Sequence, residues 1–240
     1  MSASERPSER RGAARTAVVW EALRPVLDTG EHRDVLDIGG GTGGFAVRVA
    51  ERGHRVAVVD PSPDALAALA RRARERGVEV AGQQGDLSTL LDVTGPDSAD
   101  VVLCHGVLEV VDDPAAALAT IREVLRPGGA LSLLVAQRHA AVLARAMAGH
   151  FGQALALLDD PTASGRAGRR FTHDEITGLL GDAGFELGAV HGVRVFADLV
   201  PSSLLDLEPG ATGALVALEH AVSGRPEYLP LATQLHVLAR

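Results

Sequence analysis

The 240-residue chain predicts an α/β fold: a doubly wound sheet of seven strands with helical cap elements. Three observations predict it. Short apolar runs punctuated by glycine alternate with helix-period segments between residues 34 and 136, which is the pattern of parallel strands joined by crossover helices. The first of those runs, VLDI, ends in GGGTGG, a clearance of side chains at the point where such folds approach ligands. After residue 137 the alternation gives way to Ala/Leu-rich and proline-containing segments before a last apolar run, LHVLAR, at the end of the chain.

Trp20, Leu23, Val26 and Leu27 recur at helical spacing and predict a helix around 13–28. Residues 1–10, polar and charged, are expected to form a disordered tail, and 11–240 a single domain. DVLDI (34–38) reads as the first strand, Phe45–Arg52 as a helix stopped by Gly53, and RVAVVD (55–60) as the second strand. Proline in the first turn and Gly77 past the end frame a helix over 64–76, whose RRARER run reads as a solvated face. Strands three, four and five are expected at 78–81, 99–105 and 130–136, with a helix from Pro114 to Leu125 closed by Arg126-Pro127-Gly128-Gly129. A helical stretch over 139–158 and a loop over 159–170 follow. A helix capped by Thr172, with Glu175 completing a capping box, comes next. The last two strands are expected at 185–196 and 235–239. The core is thus about 30–136, with 137–170 and 197–230 as cap or acceptor elements; 200–230 is expected to carry one helix.

Composition narrows the function classes. Only 3% of residues are aromatic, which disfavours an aromatic-lined sugar or base platform. The single cysteine, Cys104, excludes an internal disulfide framework and a cysteine-rich zinc site and fits a reducing cytoplasm; no metal is expected. The N-terminus lacks the apolar core of a secretory signal, and no apolar run is long enough to span a bilayer. A formal charge of −8 disfavours generic adhesion to nucleic acid, although Arg10, Arg11 and Arg15, and later Arg166, Arg169 and Arg170, form local basic patches.

Gly39, Gly41 and Gly44 satisfy G-x-G-x-x-G, and Asp60 stands at the end of strand two, where an acid takes two ribose hydroxyls. A nicotinamide dinucleotide and S-adenosylmethionine (SAM) share those needs. Asp37 separates them. A carboxylate two residues before Gly39 suits the ammonium of an amino acid and would repel a pyrophosphate. Gly85-Asp86-Leu87 follows strand three, where a polar side chain can bond an adenine amino group and a leucine can flank the ring. The loop is therefore expected to bind SAM.

VLDIGGGTGG, AERGHRVAVVD, HGVLEVVDDP, LRPGGALSL, AGHF, GVRVFADL and LHVLAR together carry a resemblance. The chain resembles class I, Rossmann-like SAM-dependent methyltransferases over roughly 30–136, and over nearly its whole length it is similar to the tRNA 5-carboxymethoxyuridine methyltransferases. The resemblance implies a sheet with an antiparallel closing strand. It also implies cofactor contacts from Arg15, Gly39, Gly40, Asp60, Gln84, Gly85 and His105, beside the Asp37, Gly41, Asp86 and Leu87 singled out above. Arg15 also reads as a solvated helix arginine, and His105 as a satisfied buried histidine.

Because a sulfonium methyl is already activated, alignment of the acceptor is the main task. A carboxylate acceptor is ionised at neutral pH and needs no general base, whereas a phenol or alcohol would call on His105, His139, Glu109 or His191. Arg194, a charge inside the apolar GVRVF, reads either as a clamp for an anionic acceptor or as the partner of Asp198. The chain departs from the family at Val110, an aromatic there, at Ala136-Gln137, a Tyr-Asn pair there, and at GRAGRR, a lysine-rich segment there. The best reading is methyl transfer to a carboxylate such as carboxymethoxyuridine in tRNA, the acceptor being tRNA or a small molecule. O- or N-methylation of a small metabolite, an NAD-dependent oxidoreductase and a non-catalytic SAM-binding protein are the alternatives.

Overall fold

The computed structural model describes residues 7–162, 168–207 and 210–240. Seven strands form one sheet in the order β3-β2-β1-β4-β5-β7-β6. β1 (Asp34–Ile38) lies between β2 (Arg55–Asp60) and β4 (Ala99–His105), and β3 (Ala81–Gln84) and β5 (Leu125–Ala136) extend the parallel array. β6 (Leu187–Val193) and β7 (Gln234–Ala239) complete it. Glu186 and Arg240, flanking these two strands, exchange both backbone hydrogen bonds, which only an antiparallel pair does. The chain order reverses between β1 and β4, so the carboxyl ends of these neighbours open a crevice where α/β sheets take their ligands.

By its internal contacts the chain divides into two compact units. One comprises Pro25–Val135, Asp174–Gly188 and Val237–Arg240; the other takes in the chain up to Arg24, Ala136–His173 and Ala189–His236. In the first, the apolar residues of β1, β2 and β4 are nearly all buried, as those of parallel strands covered on both faces must be. The amino ends of these strands are stitched by charge. Arg55 forks onto both oxygens of Asp34 at 2.6 and 2.9 Å, and Arg126 bridges Asp34 and Asp100 at 2.8 and 2.9 Å. The hydrogen bond from Arg55 leads in holding the Asp34 carboxyl down to about 2.

In the second unit, a buried polar arrangement centres on Glu219 of α10 (Ala211–Ser223). Its carboxylate, 1% exposed, accepts the backbone N–H groups of Val195, Phe196 and Ala197 at 2.9, 2.8 and 2.7 Å. Those amides follow β6 and have no strand to pair with, so a carboxylate satisfies them instead. Val195, Val222 and Ala232 pack around this clamp, with Phe196 and Tyr228 against them.

The elements differ from expectation in definite places. α1 runs from Pro7 to Leu27, so residues 7–10 of the expected disordered tail are helical; residues 1–6 lie outside the described residues. Proline's fixed φ suits a first helical position. β3 begins three residues late because Val78 closes α3 (Pro63–Arg76): with Gly77 left-handed, the Val78 N–H bonds Ala73 carbonyl at 3.1 Å. β3 itself is an exposed edge strand, AGQQ, with no apolar pattern to read. A short helix, α4 (Leu90–Thr94), precedes β4, and α5 spans Pro114–Val124. The stretch 139–158 is two helices, α6 (Arg138–Met147) and α7 (Phe151–Asp159), broken at Gly149, whose φ is +78°. α8 spans His173–Asp182. Residues 200–230 hold α9 (Ser202–Leu207), α10 and a 3₁₀ turn at Leu229–Leu231 rather than one helix.

Two stability predictions follow from these groups. Glu219→Ala orphans three backbone donors and should cost about 3 kcal/mol in urea denaturation, whereas Glu219→Gln, which keeps an acceptor, should cost less. Asp34 titrates lower in the folded chain than in the unfolded one. Its contribution is therefore complete above the ordinary value of 3.8 and disappears as pH falls through about 2; Asp34→Asn should flatten that limb of a stability-against-pH curve.

Candidate cofactor and active site

The site grows from the ends of β1 and β2. After Ile38 the chain must turn sharply, and Gly39 (φ +65°) and Gly41 (φ +53°) adopt left-handed backbone that other residues resist. The turn is tied down by β2. The Gly39 N–H donates to Val59 carbonyl at 2.8 Å, and the Gly41 N–H donates to Asp60 Oδ2 at 2.9 Å. Asp60 Oδ1 takes the Ser62 N–H at 2.8 Å. Asp60 is 6% exposed and lines a cavity of about 640 Å³. A carboxylate has about four acceptor directions. Two backbone amides leave room for a diol.

Asp37, 3% exposed, sits beneath the loop. A Cβ on Gly40 would lie 2.6 Å from its carboxylate, and one on Gly39 would lie 2.6 Å from Val107 Cγ2. Both glycines are therefore needed for clearance. Burial pushes the Asp37 carboxyl up to about 7, with the nearby Asp60 adding to the rise and the Ala46 N–H opposing it. Gly43 has a separate job: at φ +78° it leaves space for Leu69 of α3, so α2 (Ala46–Ala50) can follow directly.

The opposite walls come from the ends of β3 and β4. Gly85, Asp86, Leu87 and Ser88 line the cavity on one side, and Gly106, Val107, Val110 and Val111 on another. Asp86 Oδ1 takes the Ser88 N–H and hydroxyl at 2.9 and 2.5 Å, and the hydroxyl leads in lowering its carboxyl below the usual range. Gln84, by contrast, turns its amide to Pro61 carbonyl at 3.2 Å and is absent from the cavity wall.

His105 ends β4 beside the cavity without lining it. Its Nε2 meets the Ser132 hydroxyl at 2.9 Å, and its ring stands edge-on to Phe45, centroids 4.7 Å apart. Burial pulls its titration down to about 4, so it is a neutral imidazole at pH 7. His139 is exposed. Arg15 falls within α1, but its side chain lies outside the described residues. Arg194 lies past the end of β6 rather than inside a strand, at φ +62°. It pairs with Asp198 and reaches Gln234 at 3.3 Å. Of its two readings, the geometry favours the ion pair with Asp198. Glu109 is buried, and His191 stacks on His236 with centroids 5.8 Å apart. Gln137, in the departing Ala136-Gln137 pair, caps α6 by accepting the Ala140 N–H at 3.0 Å and donates to Leu229 carbonyl at 3.0 Å.

Residues 35–129 match the family described as a methyltransferase domain. Over 242 aligned residues the chain is 32% identical to the tRNA 5-carboxymethoxyuridine methyltransferase of Escherichia coli K12, covering 96% of this chain and 89% of that protein. The chain belongs to the SAM-dependent methyltransferases. Solved structures share the fold at lower identity. A SAM-dependent methyltransferase from Mesorhizobium loti superposes with a TM-score of 0.64 at 21% identity, covering 96% of this chain and 99% of that one. Magnesium protoporphyrin IX methyltransferase from Synechocystis PCC 6803, solved with bound SAH, gives 0.61 at 16% identity, with 100% and 89% covered.

The residues present fit SAM. Asp60 offers acceptors for ribose hydroxyls, Asp86 and Leu87 border the far wall, and Asp37 is a buried acid without a cation of its own among the described residues. Sequence reasoning singled out Val110 but missed Gly43, Gly106, Val111 and, most of all, Val107, because an isolated valine after a strand carries no signal until Gly39 is seen against it. Asp60→Ala should weaken SAM binding by tenfold to a hundredfold, the worth of charge-assisted hydrogen bonds (about 1.5–3 kcal/mol); unchanged affinity by calorimetry refutes the assignment. Gly40→Ala should also abolish tight binding, since the added methyl must displace Asp37.

Proposed function

We propose that this methyltransferase acts on a carboxylate oxygen, with carboxymethoxyuridine in tRNA as the acceptor. The observation that carries the reading is the match to the Escherichia coli enzyme over nearly the full length of both chains. The local chemistry agrees with it. SAM, when bound, supplies an electrophilic methyl on a positively charged sulfur. Asp60 would accept the ribose hydroxyls, Asp37 would offer its carboxylate to the ammonium of the amino-acid part, and the glycines would leave the backbone bare enough for close approach. An acceptor carboxylate is ionised at neutral pH, so no residue has to remove a proton. His105, a weak base titrating at about 4 and engaged with Ser132, suits a positioning role beside the cofactor rather than general-base catalysis. Orientation then carries most of the rate.

Arg145 and Arg169, half-buried on a chain whose net charge is −8, are the local positive charge this reading would direct at tRNA phosphates. Val110, 70% exposed at the cavity, replaces the family's aromatic, so stacking on the target base has to come from elsewhere. A reducing cytoplasm, where tRNA resides, agrees with the buried free thiol of Cys104. No helix among the described residues is long and apolar enough to cross a membrane.

The test is transfer of labelled methyl from SAM to bulk tRNA containing carboxymethoxyuridine, followed by digestion and nucleoside separation. The expected result is label in a uridine ester that mild base removes. Label that survives mild base, or no label while SAM still binds, overturns the acceptor assignment and directs the search to small molecules.

A further inference from the structure

The glycine loop covers an electrostatic imbalance. Asp37 (3% exposed) and Asp60 (6%) are both buried. Of the other acids on the strands around Asp37, Asp34 of β1 and Asp100 of β4 lie at the amino ends and are paired there with Arg55 and Arg126. β2 contributes Asp60, and the start of α2 the neutral Ala46 N–H. β4 contributes the Cys104 thiol, whose ionisation is pushed up by burial, then by Glu109 and Asp37, and the neutral imidazole of His105. Among the described residues no arginine, lysine or charged histidine pairs with Asp37. Gly40 closes directly over its carboxylate, where a Cβ would sit only 2.6 Å away, and this excludes water from that side.

A buried carboxylate charge without a counter-charge is costly, and the ordinary remedy is to keep the proton. SAM brings the missing charge, one from its ammonium and one from its sulfonium. We propose that Asp37 is a proton-coupled charge selector: it is protonated in the cofactor-free protein and gives its proton to solvent when the cofactor's positive charge is seated at the glycine loop. This rests on the assignment of the loop to SAM. The carboxylic O–H bond breaks, the proton passes to buffer, and a carboxylate–cation pair replaces it. No other bond changes.

The sign of the pH dependence follows. The binding-competent form is the ionised one, so affinity climbs with pH, by up to tenfold per unit, while Asp37 is mostly protonated in the free protein. It levels off above about 7. Selection by charge also discriminates against uncharged nucleosides, for which Asp37 would have to ionise without compensation.

The deciding experiment is calorimetric titration of the full chain with SAM at about pH 6, where the ligand's ammonium already carries its proton, in two buffers of different ionisation enthalpy. Close to one proton released per SAM bound is expected. Carboxyl carbon-13 NMR of aspartate-labelled protein identifies the source. One resonance should titrate near neutrality in the free protein, move to the ionised position on adding SAM, and be missing from Asp37→Asn. SAM binding without proton release overturns the proposal and leaves the cofactor assignment standing, as does a free protein whose aspartates are all ionised at that pH. A titrating resonance that persists in a folded Asp37→Asn protein also overturns it. Failure of SAM to bind overturns both. The first two measurements use the unaltered chain, so the decision does not depend on the variant folding.

Discussion

The turn after β1 is held by the end of β2, and the site depends on that tether. Val59 carbonyl and the Asp60 carboxylate take the N–H groups of Gly39 and Gly41, so a strand-to-helix connection with almost no side chains of its own is given one geometry. The glycines need such help. Left-handed backbone without a Cβ is accessible but not preferred, and an untethered run of five glycines in six positions would sample many conformations. Asp60 thus has two duties: it shapes the loop and faces the cavity that the loop borders. Substitution at this position cannot be expected to separate them.

The two ends of the same strands use charge in opposite ways. At the amino ends, Asp34 and Asp100 are matched by Arg55 and Arg126, partly exposed, and the carboxyl of Asp34 is stabilised in its ionised form. At the carboxyl ends, Asp37 and Asp60 are more deeply buried and lack a protein cation among the described residues. The first arrangement is complete within the chain and serves stability. The second is the arrangement proposed above to take up a cationic ligand. Electrostatic incompleteness at a strand end where ligands enter is a signal of function, and it is absent from Arg194, which is ion-paired with Asp198.

Much of the parallel core was legible because burial on both faces leaves near-continuous apolar runs. DVLDI, RVAVVD and ADVVLCH matched β1, β2 and β4 to the residue. β3 was misplaced because an edge strand owes its existence to its neighbour's backbone, not to its own side chains, and Val78-Glu79-Val80 looked more strand-like than AGQQ. Arg194 was placed in a strand for a related reason: its flanking valines are buried, yet the backbone leaves extended geometry between them. The division of 139–158 at Gly149 and the second helix in 200–230 were invisible to a pattern of apolar spacing that continues across the break.

By itself the sequence determined the glycine turn after β1 and the acids that flank it. Glycines at fixed spacing, an acid before them and an acid at the next strand end need no knowledge of distant contacts, because strand, turn and helix are consecutive in the chain. Tertiary structure decided everything that depends on residues far apart in sequence meeting in space. It set Val107 against Gly39, gave His105 to Ser132 and Phe45, and gave Arg194 to Asp198 and Gln234. Local pattern records which side chains want burial or charge; only the packed sheet settles which partner each one finds.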